Sequence, residues 1–411
     1  MDRLRHRAGR TGAAVCLALV AATGISLANA TPALAATPDF TLFNDTAYTS
    51  ASIGHGAVTA NIVPDSTCTP LVTGGAMPTE AQWQSIVEAD DVATAAPLVL
   101  DCESLYLDGS AASAAANLSD LEQLQAWAVA VAPGQVVGWY GMIGNTSSAY
   151  YGDYQQLIAQ DPDPAFFPSA YTFSTSEDTW VSTLSSDLAE AAAVDTAVPV
   201  YPYVWPQYHE SSSPSSLSLT FIPAAQFSFE LATIHDLGLS GAVIWGGSNP
   251  STCDATCESE AGGEGWLPVT RSYLDWVTSG ADQATDLARG GTATASSTYS
   301  GSYPAQYAID GKATTRWISA YADPQWIEVD LGAAHTLTGA RLVWNGYATA
   351  FTLQVSTDGA NWTTLYSTAT GTGGAELING LSGSGRYVRV YGTVRGTVYG
   401  YALWSLNVYG S

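Results

Sequence analysis

Leu98-Val99-Leu100-Asp101-Cys102-Glu103 is a short apolar run that ends in two acids. Without polar alternation, such a run suits a strand buried on both faces, as in a parallel sheet. Asp101 and Glu103 lie two residues apart, so on an extended chain they share a face while Cys102 points away. Their Cα atoms are then roughly 6–7 Å apart. Carboxylates that close repel when both are ionised, which raises the pKa of one. A carboxylic acid beside a carboxylate suits cleavage of a glycosidic bond. The same two charges also serve as plain loop residues capping the next helix.

Runs of the same type recur outward from this stretch: Phe40–Phe43, Val58–Val63, Val136–Gly141, Phe167–Phe173, Val198–Trp205 and Gly241–Gly246. Helix-like segments separate them. One opens at Thr79, others span Ser119 to Ala130 and Ser174 to Ala193, and another runs from Pro223 to Leu237 before Gly238. Alternating strands and helices over residues 37–280 predict a (β/α) TIM-like barrel of seven or eight strands. Active sites of such barrels lie at the C-terminal strand ends. Those ends carry Asp101, Glu103, Tyr140, Tyr171, Tyr203, Trp205 and Trp245, so the expected site is two acids ringed by aromatics. His209-Glu210 follows the strand ending in Trp205 and is placed either in the groove or on a surface loop. His235, near a helix C-terminus, is expected to interact with the helix dipole.

The charge is uneven. Residues 37–280 hold 28 acids and one base, Arg271, whereas residues 281–411 hold eight acids and seven bases. Phosphate and uronate recognition rely on Lys and Arg. Nucleic acid and polyanionic glycans are therefore poor partners for the first of these segments. No Rossmann glycine run, P-loop or nucleophile elbow is present in its strand–turn–helix context.

Arg3, Arg5, Arg7 and Arg10 precede an apolar stretch and the small-residue site Ala33-Leu34-Ala35-Ala36, the pattern of a secretory signal peptide over residues 1–36. A secreted, extracellular protein is expected, a monomer without a membrane span. Four cysteines remain after the leader, Cys68, Cys102, Cys253 and Cys257. In an oxidising compartment they suggest two disulfides with three possible connectivities, and the Cys253–Cys257 spacing allows local closure.

After a small, polar linker at 281–287 the pattern changes to alternating runs, such as Trp326-Ile327-Glu328-Val329-Asp330-Leu331, separated by turns such as Asp358-Gly359. This predicts an antiparallel β-sandwich over 288–411.

Two resemblances follow from these motifs. The segments Leu98–Glu103, Val137-Gly138-Trp139-Tyr140-Gly141, Phe167-Pro168-Ser169-Ala170-Tyr171, Val198–Val204 and Gly241–Trp245 resemble, in order, the hyaluronidase-type glycoside hydrolases of family 56. That likeness implies retaining hydrolysis of β-linked N-acetylhexosaminides, the substrate's acetamido oxygen acting as nucleophile. Glu103 is then the general acid/base and Asp101 orients the acetamido group. Tyr171 and Tyr203 hydrogen-bond that group, and Trp245 floors the subsite. A substrate without the acetamido group needs a second carboxylate, for which Glu210 is the candidate. Given the missing cations, a neutral or cationic N-acetylhexosamine polymer is expected rather than a uronate-rich one.

Residues 288–411 resemble the discoidin, or coagulation factor 5/8 C-type, domain shared with family 32 carbohydrate-binding modules. The likeness rests on Ala308-Ile309-Asp310-Gly311, Thr315-Arg316-Trp317, Gln325–Gly332 and Arg386–Val390. It implies a jelly-roll sandwich with a structural Ca²⁺ near Asp310 and Thr315, while catalysis needs no cofactor. Candidate stacking residues in its loops are Tyr299, Tyr321, Tyr347, Tyr399 and Tyr401, with Arg395 as donor; Trp317, Trp326 and Tyr387 are assigned to the core. The expected partner is a polysaccharide or glycoconjugate. Two other functions fit the same residues. One is a non-catalytic glycan-binding or cell-surface protein. The other is a polysaccharide lyase with Tyr140, Tyr171 or Tyr203 as base, against which the single Arg argues.

Overall fold

The structure, a computed structural model, describes residues 40–73, 77–90, 96–247, 253–263 and 265–411. The expected leader lies outside them. The N-terminal part contains strands β1 (Thr41–Thr46), β2 (Val58–Thr59), β3 (Asn61–Val63), β4 (Leu98–Leu100), β5 (Val137–Trp139), β6 (Tyr203–Val204) and β7 (Gly241–Gly246). They form two small parallel sheets, ordered β2-β1-β7-β6 and β3-β4-β5. β2 and β3 are one stretch of chain interrupted only at Ala60, whose N–H bonds to Asn44. Across the remaining gap, isolated parallel bridges join Tyr140 to Phe167, Phe166 to Val200 and Ser169 to Tyr203.

Proline explains why residues 164–169 and 199–202 show bridges rather than strands. Pro164, Pro168, Pro199 and Pro202 have no N–H to offer a ladder. Gly138 allows the closest approach there: a Cβ on it would lie 2.1 Å from the Ala165 carbonyl oxygen. Phe43, Ala60, Val99, Ala165, Phe167, Tyr203 and Val243 pack into one buried cluster drawn from these strands and bridged segments.

Helices α1 (Asp65–Thr73), α2 (Glu80–Asp90), α3 (Ala111–Val131), α4 (Tyr151–Ile158), α5 (Glu177–Val194), α6 (Ala224–Asp236), α7 (Ala255–Ala261) and α8 (Trp266–Thr278) alternate with the strands. α3 begins eight residues before the expected Ser119, because Ser110 caps Ser113 N–H and an alanine-rich turn follows. His235 differs from expectation. It is buried, stacks on Phe40 at 4.9 Å and hydrogen-bonds Tyr273. Burial, aided by Arg341, lowers its pKa to about 3, so it stays neutral and carries no charge to meet a helix dipole.

The C-terminal part is an antiparallel sandwich of β8 (Thr292–Ala295), β9 (Trp317–Ile318), β10 (Gln325–Gly346), β11 (Ala348–Ser356), β12 (Thr363–Thr368), β13 (Ala375–Arg395) and β14 (Ala402–Gly410). Strand order is β12-β11-β13-β10-β14-β9, with β8 added beside β10. Residues Gln325–Asp330 alternate buried and half-exposed, the half-buried pattern their sequence suggests. Trp317 is core, whereas Trp326 and Tyr387 are half-exposed.

The two parts share a packed seam. Val343, Trp404 and Tyr409 of the sandwich join the same buried cluster as Phe229 and Trp276. Arg341 is 3% exposed and ion-pairs with Asp236 of α6. Glu177 at the start of α5 accepts from Trp404 Nε1 at 2.7 Å and Asn345 Nδ2 at 2.8 Å. The expected linker is tied down too: Asp286 accepts from Val408 N–H and Asn407 Nδ2, each at 3.0 Å.

Candidate active site

Cys102 faces away from its neighbours and forms a disulfide with Cys68 of α1, while Cys253 pairs with Cys257. The first bridge fastens the end of β4 to the helix that carries Asp65. The Asp65 N–H donates to Asp101 Oδ2 at 3.2 Å, and Asp65 Oδ1 accepts from the Glu103 N–H at 2.8 Å. Asp101, Glu103 and Asp65 are thereby held as one acidic group.

These acids line a cleft of about 560 Å³ that also meets Tyr140, Tyr171, Tyr203 and Trp245. Burial, then the Glu103 charge, pushes the Asp101 pKa up to about 8, with Asp65 adding to the rise. Burial and the Asp65 charge also raise the Glu103 pKa. Asp101 Oδ1 is buried without a hydrogen-bond partner, and the buried Tyr203 hydroxyl has the Asp45 carboxyl beside it. Unmade hydrogen bonds at buried atoms are costly, and such atoms mark where a ligand would bond.

All eight residues expected in the site line this cleft. Their exposures differ from the simplest expectation. Trp205 is 2% exposed and its ring packs 4.8 Å from Trp245. It braces the wall and offers no open stacking face. Trp245 is half-buried and Glu210 exposed at the rim. Tyr171 bridges the aromatic wall, with ring centroids 6.2 Å from Tyr140 and 5.7 Å from Trp245.

Sequence reasoning missed Asp45, Asp65 and Tyr106. Asp45 sits on β1 opposite Trp245 in register, and burial and the Asp101 charge raise its pKa well above the usual range. Its signal was the polar end of the first run, Asn44-Asp45-Thr46, at the strand terminus where sites form. Asp65 opens a helix, where an acid is ordinarily read as a dipole partner.

On the sandwich, Tyr299, Tyr321 and Tyr399 are the exposed members of the expected set, at 55%, 46% and 62%. Tyr299 and Tyr321 stack at 5.0 Å, and Tyr399 meets Tyr321 edge-on at 5.8 Å. Tyr401 is buried, its hydroxyl donating to Asp323, to which Arg395 also bonds at 3.3 Å. Tyr347 is half-buried, lying beneath Gly373 and Gly396.

Thr315 Oγ1 lies 2.9 and 3.0 Å from the Asp310 carboxylate oxygens and 3.2 Å from the Lys312 carbonyl oxygen. This all-oxygen donor set fits a hard cation. Among the described residues no three His, Cys, Asp or Glu side chains gather to hold a metal. Nor, among them, is any helix long and apolar enough to cross a membrane.

Comparison with known proteins covers parts of the chain. The polysaccharide lyase 8 family protein HylA of Enterococcus faecalis is 32% identical over 85 residues, 20% of this chain and 6% of that protein. The chain thus spans a small fraction of that relative. Chitosan-binding module 1 from the chitosanase/glucanase of Paenibacillus sp. IK-5 is 50% identical, covering 31% of this chain and 99% of that one at a TM-score of 0.30. A Clostridium perfringens module solved with GalNAc-β-1,3-galactose is 25% identical, covering 31% of this chain and all of that one at a TM-score of 0.29. The F5/8 type C domain family matches residues 292–406. The C-terminal part of the chain is therefore an F5/8 type C domain.

Proposed function

We propose that the protein is a secreted, retaining endo-glycoside hydrolase acting on a polysaccharide that contains N-acetylhexosamine and is neutral or cationic. In this reading residues 37–280 are a TIM-like barrel, 281–287 join it to the module at 288–411, and residues 1–36 direct export. The parallel bridges that link the two small sheets end to end support a closed ring, as does the cluster around Phe43, Val99, Phe167, Tyr203 and Val243 at its centre.

The observation that carries the reading is the Asp101–Glu103 pair, with raised pKa values, at a C-terminal strand end inside an aromatic cleft. Glu103 delivers a proton to the leaving oxygen. Asp101 Oδ1 takes the acetamido N–H, which turns the acetamido oxygen toward the anomeric carbon. Tyr171 and Tyr203 donate to that oxygen as charge develops, and Trp245 lies under the sugar ring. The bond to the leaving oxygen breaks as the acetamido oxygen bonds to the anomeric carbon. Water, deprotonated by Glu103, then opens the resulting ring with net retention.

A lyase is the second reading, favoured by the HylA match alone. It requires a tyrosinate base, yet burial raises the pKa values of Tyr140, Tyr171 and Tyr203. It also requires cations against a uronate, and the cleft lining holds no Lys or Arg. In the module, Asp310, Thr315 and the Lys312 carbonyl would hold a Ca²⁺ that braces the loop before β9.

The test is a screen of neutral, N-acetylated and cationic glycans with intact protein, Glu103→Gln and Asp101→Asn. Cleavage lost in both variants supports the hydrolase. Cleavage unchanged in both refutes the site, unsaturated products indicate a lyase, and binding without cleavage indicates a non-catalytic glycan binder.

A further inference from the structure

Four carboxylates line the cleft, those of Asp65, Asp101, Glu103 and Glu210, and no Lys or Arg side chain faces them there. The one basic ring in the lining, His209, is held toward its neutral form by burial. Burial keeps a proton on Asp101, yet the remaining acids of this concave site still focus a field that favours a cation.

The acids divide by their bonding. Asp101 Oδ1 is a buried, unpartnered atom of the lining, and the fully buried Tyr203 hydroxyl lies in the same lining with the Asp45 carboxyl as its neighbour. An acetamido group suits the two, its N–H going to Asp101 and its oxygen to Tyr203. Asp65 is different. Its Oδ1 is committed to the Glu103 N–H at 2.8 Å and the Thr69 hydroxyl at 2.5 Å, which fixes the carboxylate's orientation. The residue is half-buried and lines the cleft. Glu210, exposed at the rim on the loop after β6, is likewise open to a ligand. Both remain uncompensated when an acetamido sugar is bound.

We infer that the cleft takes a partly N-deacetylated hexosamine polymer, with an acetamido sugar at the bond that is cut and the free ammonium group of a neighbouring sugar set against Asp65 and Glu210. The acetamido half of this assignment rests on the hydrolase reading; the ammonium half rests on the charge and bonding of Asp65 and Glu210. A fully acetylated chain offers these two acids only neutral donors, and a uronate chain repels them.

The experiment compares fully acetylated and half-deacetylated β-1,4-linked N-acetylglucosamine hexamers on the full chain, at about 20 mM and about 300 mM salt. It reads KM and kcat separately, with calorimetric binding to Glu103→Gln alongside. The half-deacetylated hexamer is expected to show a KM about tenfold lower at low salt, an advantage that shrinks at high salt. Asp65→Asn, which keeps the Oδ1 acceptor, and Glu210→Gln, at the exposed rim, should each raise KM for that hexamer more than for the acetylated one, while Asp65→Asn also shifts the pH–rate profile on both. Equal KM values with cleavage of both hexamers overturn the inference and leave the hydrolase standing. Salt-sensitive binding of the deacetylated hexamer that Asp65→Asn weakens, without cleavage of either, overturns the hydrolase and retains the ammonium site. Neither binding nor cleavage overturns both.

Discussion

Asp101 and Glu103 differ in exposure although one residue separates them. Asp101 is half-buried beneath the tyrosines, and Glu103 reaches the open side of the cleft. The pair therefore shares a proton over a range that ordinary carboxyls do not. In the proposed hydrolase the leaving group takes its proton from Glu103, whose pKa burial and the Asp65 charge raise, so kcat/KM should fall as pH climbs through that raised value. The charges that face Asp101 are those of Glu103 and Asp65, with Asp45 on β1 and the Tyr140 and Tyr203 hydroxyls also turned toward it. Asp65→Asn removes one of the raising charges, so the limb should move to lower pH, as a pH–rate profile reports. Glu103→Gln should cost about 10²–10⁴ in kcat with little change in KM. The acids at 101 and 103 were legible because they end a fully apolar run. Asp45 and Asp65 were not, because a strand terminus and a helix start are ordinary places for an acid.

The elements show the same division between what pattern reveals and what contact decides. Gly241–Gly246 occupies the stretch its sequence marks, since all six residues pair with β1. Residues 164–169 and 199–202 do not register as strands, because their prolines break the ladder while the backbone still runs alongside its neighbours. Periodicity cannot foresee that compromise. Nor does it reveal why position 138 is glycine, which follows only from the nearby Ala165 oxygen. Gly138→Ala should destabilise the fold by about 3 kcal/mol by forcing β5 from residues 164–167, measured by denaturant unfolding. Activity should fall with it, since Tyr140 and Tyr171 extend from the two segments pushed apart.

Across the whole molecule, several buried carboxyls hold protons that the unfolded chain would release. Burial raises Asp101 and Glu230 to about 8 and Glu376 to about 7. Each folded value exceeds its unfolded one, so the folded state binds more protons between about pH 4 and 8. Below about pH 6.5 the buried, neutral His235 acts the other way, since the unfolded chain binds a proton it lacks, so stability should decline by a few kcal/mol from about pH 6.5 to 8, as denaturant midpoints at those two ends would report. The seam makes a second prediction. Arg341→Ala leaves Asp236 without its ion-pair partner in a largely buried place, which should cost about 3–5 kcal/mol and separate one unfolding transition into two in calorimetry. The sandwich was legible from alternation and turns, but the seam was not, because its arginines and acids lie far apart along the chain.

On the proposed hydrolase reading, the tied linker alters what the appended module does for catalysis. A flexible tether would let the tyrosine patch anchor anywhere along a polymer while the cleft wandered around it. Here Asp286, Arg341 and Glu177 lock the junction, so anchor and blade move as one body. If the cleft cuts and the tyrosine patch grips a polysaccharide as proposed, such a molecule works as a caliper: the number of sugar units between grip and cut is set by the protein, and its products should cluster in length.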